Sequence, residues 1–246
     1  MGKVKKHQKE LELKYIVGKV DAGPYLSEIT KLFLENGYRK ISVEVIENSD
    51  EYFDTPDLDL YQSGGSLRIR KTIKNGKLVF KGTYKMPLGE SEVYHSRTEI
   101  EDSLLNDSIE AFKIKMASLG VPVDFSRICD FPILNSTTIR TNAIFEKNES
   151  WFCVSFDVVL YTNHSLHETM ATDKMIEIED VGELSKPDML DEIHGFITKG
   201  ISNITINKQS KYERGINCTK KEYEEQMLSN SEVVIPQQMN MPKPSN

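Results

Sequence analysis

Charged side chains recur at every second residue along several short stretches of the chain. Glu10, Glu12 and Lys14 alternate with Leu11, Leu13 and Tyr15. Arg68 and Arg70 alternate with Leu67 and Ile69, and Lys77 and Lys81 share a period opposite Leu78 and Phe80. Further along, Arg97, Glu99 and Glu101 flank Thr98 and Ile100, Glu177 and Glu179 flank Ile178, and Asp157 lies between Phe156 and Val158. A period of two is that of a β-strand with unlike faces, so each set belongs to one strand face. Carboxylate oxygens suit hard cations such as Mg²⁺ and Mn²⁺. Arginine forks and lysine ammonium groups suit phosphate oxygens.

A sheet with one wet face is the ordinary source of such alternation. Here, however, acids and bases are segregated by strand. Carboxylates at i and i+2 lie ~7 Å apart, and at an effective dielectric of about 20 an enclosed pair repels by roughly 2 kcal/mol. The segregation makes sense if the strands curl into a closed or nearly closed barrel with the polar face inside, one wall holding divalent cations and the other a polyanion. Roughly six to eight strands leave a lumen wide enough for a ligand.

The elements that must position these residues follow from pattern. Strands are predicted over 8–16, 40–54, 66–74, 77–84, 94–102, 138–146, 151–161 and 174–180. Asn75-Gly76 between the third and fourth is the strongest short signal for a two-residue hairpin, so these two strands pair antiparallel. Helices are predicted over 22–36 (Leu26, Ile29, Phe33), over 104–118 (Leu105, Ile109, Phe112, Met116) and from Pro187, after Ser185, to Gly200 (Ile193, Phe196, Ile197). They cover the apolar outer faces of the strands.

Composition narrows the alternatives. The 246 residues fit one large domain or two small ones, and 38% hydrophobic with 28% charged residues is the balance of a globular protein. The formal net charge of −7 argues against broad binding to nucleic acid or an anionic membrane, and leaves room for a basic pocket. No run approaches the ~18–20 apolar residues that span a bilayer, and MGKVKKHQKE lacks the apolar core of a signal peptide. Met1-Gly2 hints at myristoylation, but Lys6 stands where that motif wants Ser or Thr. The three cysteines give neither a disulfide framework nor a zinc pattern. A cytoplasmic protein is expected, with a tunnel domain over 1–220 and a polar tail over 221–246 without regular structure. The oligomeric state is not legible.

The order ELELK (10–14), YFDTPDLDL (52–60), SLRIRK (66–71), VFKG (79–82), RTEIE (97–101) and IEIED (176–180) resembles the CYTH group of triphosphate tunnel metalloenzymes. SKYERG (210–215) is similar to the C-terminal signature of its inorganic triphosphatase branch. The resemblance covers about residues 8–216. It implies an α+β fold built on an eight-stranded antiparallel tunnel with a polar lumen, acting on a triphosphate with Mg²⁺ or Mn²⁺. Carried over motif by motif, it makes Glu10, Glu12, Glu99, Glu101, Asp157, Glu177 and Glu179 metal ligands. Arg68, Arg70, Lys81, Arg140 and Lys211 become phosphate binders, and Lys14 a lumen base supporting phosphate or an ordered neighbour. Glu10, Glu12, Lys14, Arg68, Arg70 and Lys81 form the catalytic set. Thr138 departs from the pattern, because the strand bearing Arg140 often carries a second base there.

Other motifs carry less. There is no Walker-type or G-x-G-x-x-G phosphate loop. His164, His167 and Glu168 lack metalloprotease spacing and read as loop. Trp151, Phe152 and Phe156 read as packing residues, as do Tyr52 and Tyr61, although the two tyrosines could also stack a nucleobase at a tunnel mouth. The leading functional reading is a hydrolase that releases orthophosphate from inorganic tripolyphosphate or an organic triphosphate. A class IV-type adenylyl cyclase using the same site is the rival, and a non-catalytic polyphosphate- or nucleotide-binding module is the third reading.

Overall fold

The computed structural model describes residues 8–18, 22–74, 76–89, 95–182 and 187–232. Gly2 and Lys6, Asn75, Ser185 and the segment from 233 onward lie outside the described residues.

Among the described residues nine strands carry the fold: β1 (Gln8–Val17), β2 (Arg39–Phe53), β3 (Ser66–Lys74), β4 (Lys77–Gly89), β5 (His95–Leu104), β6 (Leu134–Lys147), β7 (Ser150–Asn163), β8 (Thr169–Asp180) and β9 (Ile204–Ile206). Five α-helices punctuate them: α1 (Ala22–Glu35), α2 (Asp59–Gln62), α3 (Ile109–Ser118), α4 (Pro187–Gly200) and α5 (Lys211–Glu232). The strand order is β5-β4-β3-β2-β6-β7-β8-β1-β9, and β5 also pairs with β1. That last pairing, with Glu10 opposite Arg97, closes a ring of eight antiparallel strands and removes their free edges. β9 adds three residues to the end of β1. The β3–β4 hairpin closes with Lys74 opposite Lys77, and Gly76 takes the positive φ (+71°) that the tight turn demands.

The outward faces are apolar, as the alternation requires. Leu11, Leu13 and Tyr15 of β1 and Ile176 and Ile178 of β8 pack under α1 and α4, which contribute Ile29, Phe33, Leu190, Ile193 and Ile197. On the opposite side, Leu67, Ile69, Tyr84 and Ile100 pack under Phe112 and Met116 of α3. A third cluster lies within one end of the ring. There Tyr52, Leu134, Val159, Tyr161 and Met175 meet Tyr212 and Ile216 of α5. These strand residues share the period of Asp50, Arg140, Asp157 and Glu177, so one end of the lumen is apolar and filled by the start of α5. The other helices lie outside.

Several boundaries differ from the sequence pattern. β5 runs on to Leu104, and α3 starts only after Ser108, whose hydroxyl accepts from the Ala111 N–H as an N-cap. β6 and β8 begin earlier than expected, at Leu134 and Thr169. α5 continues through 221–232, where no regular structure was expected. Its exposed half is rich in Lys and Glu, which support a helix through i,i+4 pairs such as Lys221–Glu225. Among the described residues no helix is long and apolar enough to cross a membrane.

Candidate active site

A cavity of about 260 Å³ occupies the lumen above the α5 plug. Its acids come from three adjacent strands: Glu10 and Glu12 of β1, Glu99 and Glu101 of β5, Glu177 and Glu179 of β8. Facing them are Arg68 and Arg70 of β3, Lys85 of β4, Arg140 of β6 and Lys211 of α5, with Lys14 and Arg97 set among the acids. Six carboxylates thus meet seven cations, so the lumen is close to electrically balanced before any ligand arrives.

That balance is built from specific contacts. The Lys85 ammonium donates to both oxygens of Glu10 at 2.8 and 2.7 Å and lies 3.4 Å from Glu99. Lys14 lies 2.6 Å from Glu12 and 3.5 Å from Glu177. Asp50 grips Arg70 through two bonds of 2.7 Å and accepts a third from Arg68 at 3.3 Å. Asp157 holds Arg140 in the same two-pronged way at 2.7 and 2.7 Å, and Arg140 also donates to Glu177. Lys211 bridges Asp157 and Glu177 at 2.7 Å each. Planar forks fixed at both prongs lose little freedom when they meet an anion.

Ionisation follows from these partners. Burial opposes charge on Glu12, but Lys14, helped by Arg97, holds it at about 2 despite the nearby Glu177. Burial likewise opposes charge on Glu177, and Lys211, Lys14 and Arg140 overcome it and keep the group well below the usual range. Glu179 has only the more distant Lys85 to oppose the same burial. Burial together with the Glu10 and Glu12 carboxylates pushes it up to about 8. Burial also raises Glu10, with Lys85 pulling the other way. The β1–β5–β8 wall therefore holds more negative charge than its cations offset.

Most of the sequence-derived candidates come together here, with three differences. Lys81 is on the lumen face but lies beyond the cavity lining. It is 42% exposed and paired with Glu101 at 2.7 Å, and Lys85, two pleat periods along the same strand, stands at the acids instead. Asp157 is fully buried behind the lining, its carboxylate committed to Arg140 and Lys211 rather than open to a cation. Glu177 is likewise enclosed by Lys14, Arg140 and Lys211. Thr138 is buried two residues from Arg140 and adds no charge, and its hydroxyl has no hydrogen-bond partner. Tyr52 lines the cavity and stacks on Tyr212, a packing role in which it meets the plug rather than a nucleobase.

Sequence reasoning missed Lys85 and Asp50. Lys85 fell beyond the expected end of its strand, although Lys81, Thr83 and Lys85 keep one period. Asp50 had a signal in its spacing, since it is opposite Arg70 in the β2–β3 register.

The donor set fits a hard divalent cation. Glu10, Glu12, Glu99 and Glu179 offer only oxygen. Among the described residues no three acids are yet gathered around one point, because both Glu10 oxygens face Lys85.

No curated protein sequence matches the chain. Solved structures that share its fold include two with TM-scores above 0.5. One is an adenylate cyclase candidate from Bacillus halodurans, with TM-score 0.51 and 19% identity, covering 84% of this chain and 97% of its own. The other is a candidate adenylyl cyclase from Hippeastrum described as having a dominant triphosphatase activity, with TM-score 0.53 and 15% identity, covering 85% and 95%. At these identities the likeness concerns the fold. The sequence itself matches the CYTH domain model over residues 8–184, and with the eight-stranded ring this establishes that the chain belongs to the CYTH domain family, within the triphosphate tunnel metalloenzyme superfamily.

Proposed function

We propose that this chain is a metal-dependent triphosphatase of the inorganic triphosphatase branch, releasing orthophosphate from inorganic tripolyphosphate or from the end of an organic triphosphate with Mg²⁺ or Mn²⁺. The observation that carries this reading is one small lumen, blocked at one end, in which an acidic wall faces a basic one. An anion-binding pocket needs only the bases. Burying Glu10, Glu12, Glu99 and Glu179 side by side is costly unless a cation completes them.

Arg68, Arg70, Arg140 and Lys211 would hold phosphate oxygens, with Asp50 and Asp157 behind them keeping the donors in place. Donors fixed before the reaction stabilise charge developing on the transferred phosphoryl group, which is the main protein contribution in phosphoryl transfer. Lys85 turns from Glu10 to phosphate when a cation takes that carboxylate. A divalent cation held by Glu10, Glu12 and Glu179 would supply Lewis acidity and an activated water.

The size of the lumen is compatible with hydrolysis. A cavity of about 260 Å³ falls below the ~300–1,000 Å³ of sites that engulf a whole organic ligand. It suits a phosphate chain whose organic group, if any, stays at the mouth, whereas a cyclase must enclose the ribose and α-phosphate. The test is incubation with tripolyphosphate and with ATP in Mg²⁺ and in Mn²⁺, with products identified. Orthophosphate supports the proposal. Pyrophosphate with a cyclic nucleotide favours the cyclase instead, and triphosphate binding without turnover in either metal favours a binding module.

A further inference from the structure

The start of α5 brings Lys211 to the lumen, and the four residues from Ser210 to Glu213 make distinct contacts there. Ser210 and Glu213 form a reciprocal cap: the Ser210 N–H donates to the Glu213 carboxylate at 2.7 Å, and the Glu213 N–H donates to the Ser210 hydroxyl at 3.1 Å. Lys211 reaches inward to Asp157 and Glu177. Tyr212 points away from both, and its hydroxyl donates to Asp54 at 2.9 Å.

Asp54 is fully buried and saturated. Its carboxylate accepts from the N–H groups of Thr55, Leu60 and Tyr61 at 2.7, 2.9 and 2.9 Å in addition to the Tyr212 hydroxyl. These bonds stabilise a tight turn in which Leu58 adopts φ +58°, unfavourable for a residue with a side chain. The Tyr212 ring stacks on Tyr52, centroids 5.2 Å apart, and Tyr52 is two residues from the Asp50 that grips Arg68 and Arg70. Gly215 lets the helix press this close, since a Cβ there would stand 2.3 Å from Leu134 and 2.7 Å from Tyr161. The turn after β2 and the first turn of α5 are therefore joined through one hydroxyl, next in sequence to Lys211.

We propose that Asp54 and Tyr212 are positioning residues that set where the Lys211 ammonium stands in the lumen, and so the grip on the phosphate chain. This rests on the triphosphatase reading. The Tyr212 ring borders the cavity, but its hydroxyl is turned to Asp54 and acts through Lys211.

A double-mutant cycle tests it: wild type, Tyr212→Phe, Lys211→Met and the double variant. Binding of inorganic tripolyphosphate is measured by calorimetry in EDTA, so that turnover does not intrude. Tyr212→Phe keeps the ring and its stack and loses one hydroxyl. Binding is expected to weaken roughly 3- to 10-fold, the scale of a single hydrogen bond, and the effect is expected to vanish in the Lys211→Met background. Tyr61→Phe is the structural control. It removes the 2.6 Å bond to Asn217 further along α5 and is expected to lower thermal stability with tripolyphosphate affinity unchanged. If Tyr212→Phe does not fold, Asp54→Asn takes its place in the cycle with the same two outcomes. An effect that persists undiminished without Lys211, or no effect at all, overturns the positioning role. Wild-type protein that neither binds tripolyphosphate in EDTA nor releases orthophosphate from it in Mg²⁺ or Mn²⁺ overturns the triphosphatase reading itself, so the two failures are told apart.

Discussion

Replacing Lys85 with Met separates the electrostatic account of this lumen from a purely structural one. Lys85 and Glu10 are both largely buried, and the ammonium meets both Glu10 oxygens as well as Glu99. Methionine keeps most of the stem volume and removes the charge. Glu10, Glu12, Glu99 and Glu179 are then left facing one another, and breaking a buried pair from one side costs ~3–5 kcal/mol. For a chain of this size each kcal/mol shifts Tm by roughly 2–4 °C, so the expected loss is roughly 6–20 °C near neutral pH in EDTA. Two further results follow from the same charges. Mg²⁺ narrows the deficit, because a divalent cation takes up the carboxylates that the ammonium released. Acidification also narrows it, because Glu10 and Glu179, whose pKa values are raised, protonate first. The assay is a thermal melt of both proteins, with and without Mg²⁺, across a pH series. An unchanged Tm in EDTA, or a deficit indifferent to both Mg²⁺ and pH, would refute the reasoning.

Two other predictions share that foundation. Glu12→Gln is expected to cut metal-dependent phosphate release by roughly 100-fold or more, the scale of losing one preorganised electrostatic contact, while circular dichroism reports an intact fold. Near-normal turnover in that variant contradicts the assignment. Glu179 stands at about 8 in the folded chain against an ordinary 4.5, so the folded state retains a proton that the unfolded chain gives up between those values. Its stabilising contribution is complete below about 4.5 and lost as pH rises through about 8. Glu179→Gln should therefore melt later than wild type at about pH 8 in EDTA and show a flatter stability profile over that window. A profile parallel to wild type rejects the raised pKa.

Much of the tunnel was legible because its strands keep a strict period of two. Once Glu10, Arg68, Glu99 and Glu177 share a period with their neighbours, a single closed ring places them all in one lumen. The hairpin at Gly76 was legible for the same local reason. What escaped depended on long-range packing. Lys85 was hidden because the strand was expected to end at residue 84, whereas β4 runs on past Pro87, which is opposite Arg97 just before a register shift. The plug was hidden because Tyr212, Ile216 and Thr219 are a short apolar stripe in front of a polar helix, and only the ring's apolar end shows what that stripe meets. The role of Asp157 could not be read from charge alone. Only its neighbours in space, Arg140 and Lys211, show which cations of the protein it pairs with.

The central claim is that the acidic and basic walls of one lumen take a divalent cation and a phosphate chain together. Anomalous diffraction from crystals soaked with Mn²⁺ and tripolyphosphate tests it most directly. The account predicts a manganese peak bounded by Glu10, Glu12 and Glu179, with phosphate density against Arg68, Arg70 and Arg140. Manganese confined to the outer surface, or phosphate bound with the β1–β5–β8 wall still closed by Lys85, would contradict it.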